Sequence, residues 1–152
     1  MHALKSSKLS TPETLSRRSC AAALALLVLT RAPQAWAGSY LDRAALLIAQ
    51  ATRESDYLRA RLGDRELCQL VHDLASSRVR AAGGMTVPKE VAQAHPHLLL
   101  VLENYERAAA SAVDGRAQKF LVYQVRARDE ERVLRGVLKQ LGWSLPESGS
   151  QR

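Results

Sequence analysis

Tyr40-Leu-Asp-Arg-Ala-Ala-Leu-Leu-Ile-Ala-Gln-Ala-Thr-Arg-Glu-Ser-Asp-Tyr-Leu-Arg-Ala-Arg-Leu62 carries the periodicity from which the architecture follows. Leu41, Ala44, Ile48, Ala51, Ser55, Leu58 and Leu62 recur at alternating steps of three and four, which sets them along one seam of an α-helix. Ser39 is the expected N-cap, and Asp42 opposes the free N–H groups of the first turn. Gly63 offers a left-handed stop, and Asp64 then caps the next helix.

Three further stretches repeat the pattern. Arg65 to Ala82 has Leu67, Leu70, Val71, Leu74, Ala75 and Ala82 as its apolar side, and Gly83-Gly84 ends it. Pro88 opens a short helical turn through Ala94. Pro96 to Val113 is sealed by Leu98, Leu102, Tyr105, Ala109 and Ala112, with Glu103 and Arg107 four apart on the outside. Arg116 to Leu141 follows the Asp114-Gly115 break, with Phe120, Tyr123, Ala127, Leu134, Val137 and Leu141 on its seam. Gly142 caps it, and Trp143 and Leu145 are expected to fold back on the end. Gly136, inside this helix, is an expected point of close approach by a neighbour. Four amphipathic helices with short links predict an all-α, antiparallel up-down-up-down four-helix bundle over residues 38–145, with 146–152 as a flexible tail.

Residues 1–37 read as an export signal instead. Arg17-Arg18 precede an apolar run of 11 residues, Cys20 to Thr30, and the small-x-small triplet Ala35-Trp36-Ala37 places a cut after Ala37. As a helix the run spans about 16 Å, against a hydrocarbon core of about 30 Å, so no permanent membrane span is expected. Ser16-Arg17-Arg18, with Arg31 behind the run, resembles a twin-arginine signal; Cys20 stands where that pattern carries a bulky apolar residue. The resemblance implies transport of folded cargo and a periplasmic or secreted destination.

Removing the leader leaves 115 of 152 residues, one domain with enough chain for a core. The leader holds Lys5, Lys8, Arg17, Arg18 and Arg31 against Glu13, so only +3 of the net charge of +7 belongs to the bundle. That surplus gives no argument for a nucleic-acid partner. Cys68 is the one cysteine after the cut, so no internal disulfide can form.

Candidate chemistry is sparse. Cys68 and His72, four apart on one helix face, are ligand types for zinc or copper, and His95 and His97 flank Pro96 as a second pair. His72 lies ten residues back from Ala82, about 15 Å along the axis, so the two pairs are expected at opposite ends of the bundle. The competing reading is a packed thiol, a half-exposed His72, and His95 and His97 at a helix entry. Glu130 and Glu131 interrupt the last seam, Arg78 is their expected partner, and Ser55 breaks the first seam. Together these anticipate a polar layer across the middle. Arg128, Arg132, Arg135 and Lys139 line one face of the last helix and, with Trp143, Tyr40 and Tyr57, are the expected interaction residues.

No G-x-S-x-G, H-E-x-x-H, C-x-x-C-H, Glu-x-x-His or glycine-rich phosphate loop occurs, so no enzyme class and no cofactor is indicated. The reading that remains is a small exported bundle that binds a protein or another envelope component without catalysis. The alternative is a metal- or haem-carrying bundle exported in folded form, which the exported haem-binding bundles resemble in outline only.

Overall fold

The structure, a computed structural model, describes residues 32–146. Among these residues the chain is all-helical, with four α-helices and no strand. The helices are α1 (Ala32–Arg59), α2 (Arg65–Gly83), α3 (His95–Val113) and α4 (Ala117–Gln140), with a 3-10 turn, Lys89–Ala94, leading into α3. The Arg17-Arg18 pair, the apolar run and residues 147–152 of the expected tail lie outside the described part.

Helix α1 starts well before Tyr40 and runs through the Ala35-Trp36-Ala37 triplet. Ser39 is therefore interior rather than a cap, and its hydroxyl donates to the Trp36 carbonyl at 3.1 Å. Leu41, Ala44, Ile48, Ala51, Ser55 and Leu58 are all buried, as the three-four spacing requires. Gly63 does not take the left-handed conformation expected of it. The chain leaves α1 by right-handed turns instead, with Arg61 N–H on the Leu58 carbonyl and Asp64 N–H on the Arg61 carbonyl, at 2.8 and 2.9 Å. Asp64 caps α2 as expected, its carboxylate accepting the Leu67 N–H at 3.0 Å.

The buried side of α2 is Cys68, Val71, Ala75, Arg78 and Ala82. Leu70 and Leu74, expected inside, are 56% and 44% exposed. With Cys68, Val71, Ala75, Arg78 and Ala82 on the inner side, the two leucines fall on the outer side of the helix. In α3 the seam is as expected, and Pro96 sits in the first turn. Gly142, two residues past the end of α4, has a φ of +81° and closes the helix in the left-handed conformation. Trp143 N–H returns to the Leu138 carbonyl at 2.8 Å, and Leu145 joins the core. Gly136 has no atom within 4 Å of where a Cβ would stand, so it is a solvent-facing residue and not a contact point.

The core is two apolar clusters. One gathers Tyr40, Leu41, Ile48, Leu98, Leu102, Tyr105, Leu134 and Leu138 among others. The second holds Leu58, Cys68, Val71, Ala75, Ala108, Ala112 and Phe120, the last being the largest fully buried side chain. Ser55, Arg78 and Gln124 fall between the clusters on α1, α2 and α4, and all three are buried.

Candidate functional site

The expected basic face of α4 is largely neutralised. Arg128 pairs with Asp56 of α1 at 2.5 Å, Arg132 with Asp129 at 2.7 Å, and Arg135 places two nitrogens on Glu131 at 2.7 and 3.0 Å. Lys139 is exposed at the far end. Asp56 was not legible as a partner because it lies 72 residues from Arg128. Trp143 is half-buried against the first cluster, and Tyr40 is buried within it. Of the expected aromatic contact points, Tyr57 is exposed, with the Arg61 guanidinium 3.9 Å above its ring.

The first half of α4 has the opposite character. Leu121, Val122 and Val125 are exposed aliphatics there, and Val125 is 56% accessible. Lys119 and Arg126 stand beside them, and among the described residues neither pairs with a carboxylate. Arg126 instead lies 5.4 Å from the Tyr123 ring centroid. An open hollow of about 220 Å³ is lined by Gln118, Lys119, Val122, Tyr123 and Arg126. Gln118, Val122 and Val125 follow i, i+4, i+7 spacing, so one outward ridge carries the apolar groups. The signal available in the sequence was an aliphatic set off the buried seam.

The possible metal ligands do not converge. Cys68 is buried, with its sulfur 3.8 Å from the Leu62 carbonyl; burial, reinforced by the Asp64 carboxylate, pushes the thiol pKa up. His72 lies 3.8 Å from Asp73 on the same helix. His95 Nδ1 is 3.0 Å from the Tyr40 hydroxyl, and burial lowers the His95 pKa and raises that of Tyr40 to about 12. The two groups share one hydrogen bond, whose direction follows the tautomer of the imidazole. His97, at the entry of α3, is 2.6 Å from Glu130. Among the described residues no three His, Cys, Asp or Glu side chains are grouped to hold a metal ion.

The polar layer exists with a different membership from the one expected. Arg78 pairs with Glu54 at 2.6 Å, not with Glu130 or Glu131, which are held by His97 and Arg135. Gln124, which the sequence did not single out, donates to Ser55 at 3.2 Å and to Asp56 at 2.9 Å. A residual internal hollow of about 10 Å³ borders Glu54, Ser55, Arg78 and Tyr105. One oxygen of Glu54 is buried there without a hydrogen-bond partner.

No family model, curated protein or solved structure matches this chain. Apart from one Glu54 oxygen, the buried polar groups engage one another, and they leave only about one water's volume between them, too little for an organic ligand. A second hollow, about 240 Å³, lies between α1 and α4, with Ile48, Thr52, Arg53, Glu131, Arg135 and Pro146 in its wall. Its Arg135 and Glu131 satisfy each other, which leaves Arg53 as its one free cation among the described residues. The ridge on α4 has two such cations and no carboxylate in its wall, together with the exposed aliphatics. Among the described residues no helix is long and apolar enough to cross a membrane.

Proposed function

We propose that this chain is an exported four-helix bundle that works as a non-enzymatic binding module in the cell envelope, through the Lys119–Arg126 ridge of α4. The observation that carries the reading is the coincidence on one ridge of exposed Leu121, Val122 and Val125 with two cations that lack carboxylate partners. Aliphatic groups supply contact area, and unpaired cations supply orientation and discrimination. The matching partner surface is apolar with acidic groups around it. The export part of the reading is supported by the Arg17-Arg18 pair, the short apolar run and the Ala35-Trp36-Ala37 triplet.

The helices alternate in direction in this reading. Its support is the order of the cross-helix pairs. Glu54 with Arg78, Ser76 with Glu106 and His97 with Glu130 link consecutive helices, and Asp56 with Arg128 links α1 to α4. Tyr40 with His95 and Thr52 with Tyr105 keep the same order on α1 and α3, as alternate helices of such a bundle do.

A photo-crosslinking residue at position 122 or 125, installed in the chain as expressed in its own cells, is expected to give a discrete adduct in the envelope fraction. The same residue at position 132 or 139 is expected to give none. Equal labelling at all four positions removes the assignment to the ridge. Export is tested separately: Arg17→Lys with Arg18→Lys blocks secretion on the twin-arginine route, and unchanged secretion points to the general route.

A further inference from the structure

We infer that folding of α1 closes the Ala37–Gly38 bond to proteolysis, so that the leader is removed either before the bundle is complete or only when the start of α1 frays. The inference rests on the export reading above. Helix α1 begins at Ala32 and continues to Arg59, so the cleavage triplet and the residues after it are helical. Ala37 is buried. Tyr40, less than one turn further on, is anchored in the first apolar cluster with its hydroxyl on His95.

Hydrolysis of this bond consumes one water and leaves a carboxylate on Ala37 and an amine on Gly38. The nucleophile has to reach the Ala37 carbonyl carbon, and the flanking residues have to lie extended in the protease cleft. In an α-helix each carbonyl is already committed to the N–H four residues on, and the backbone is coiled rather than extended. Opening the bond therefore means unwinding α1 past Ser39 and lifting Tyr40 from the core. A chain that crosses the membrane unfolded presents the triplet before α1 exists. A chain that crosses folded has to fray the start of α1 to lose its leader. The order of cutting and folding thus follows from where the helix begins.

The test uses the full-length precursor in nonionic detergent with purified signal peptidase, read by intact mass. A synthetic peptide covering residues 28–45 is the open control, because an isolated segment of this length is a marginal helix in water. The peptide is expected to be cut after Ala37, and the folded precursor at least about tenfold more slowly. Precursor diluted from urea straight into the protease is expected to be cut before it refolds. Tyr40→Ala, which removes the anchor, is expected to speed cleavage of the folded precursor and leave the peptide rate unchanged. A folded wild-type precursor cut at the peptide's rate overturns the inference while leaving the export reading intact. A peptide that is not cut after Ala37 removes the site itself, and with it both the export reading and the inference.

Discussion

Gln124 on α4 donates its amide to Ser55 on α1 at 3.2 Å, and this bond lies between the two apolar clusters of the core. The same amide nitrogen reaches Asp56 at 2.9 Å. Replacing it with an apolar side chain of similar size strands the buried Ser55 hydroxyl. Gln124→Leu is expected to lower stability by about 1–3 kcal/mol, and adding Ser55→Ala to recover part of that loss. Urea unfolding of the two variants checks this. A double variant that is less stable than the single one contradicts the pairing.

Two glycines in the last third of the chain are expected to respond in opposite directions. Gly136 is helical and open to solvent, so Gly136→Ala gains about 0.5–1 kcal/mol from helix propensity. Gly142 holds a φ of +81°, which strains a side chain, so Gly142→Ala loses about 1 kcal/mol. Thermal melts of the pair decide this, and matching shifts in Tm would argue against the left-handed cap.

Cys68 is buried among Leu58, Val71, Ala112 and Phe120, and its thiol pKa is raised. Both effects slow reaction with a thiol reagent, one by access and one by withholding the thiolate. Labelling with a chromogenic disulfide at neutral pH is expected to be at least about a hundredfold slower than in urea. Rapid labelling of the native protein would show that the thiol is accessible.

His95 shares a hydrogen bond with Tyr40, and burial lowers its pKa. The unfolded chain therefore binds this proton more readily than the fold does. The His95 contribution is fully present above the ordinary histidine value of about 6.5 and is lost as pH falls through the lower folded value. Stability is expected to drop on acidification in that window, and His95→Gln to flatten the drop. Urea midpoints between pH 7.5 and about 5 measure it; identical slopes in both proteins would assign the effect elsewhere.

Phe120 fills the second cluster as its largest side chain. Phe120→Ala is expected to cost about 3–5 kcal/mol, since a cavity remains where the ring was. A loss below about 1 kcal/mol would mean that the cluster collapses around the gap.

The sequence alone determined what depends on near neighbours in the chain. The seams of α1 and α3 follow from three-four spacing, because residues that far apart share a helix face wherever the helix lies; in α4 the spacing placed Phe120, Ala127 and Leu134, while Gln124 and Leu138 are buried where Tyr123, Val137 and Leu141 were expected. The Asp64 cap, the turn opened by Pro88, the Glu103–Arg107 pair and the Gly142 stop are equally local. Tertiary structure decided everything that needs a rotation or a partner. Leu70 and Leu74 are at least as apolar as the side chains α2 buries, and only the orientation of α2, with Cys68, Val71, Ala75, Arg78 and Ala82 inward, turned them outward. The partners of Arg78, Arg128 and Glu130 lie 24, 72 and 33 residues away, so spacing could not choose among the available charges. That choice neutralised the expected basic face and left the unpaired cations half a helix earlier, beside Val122 and Val125.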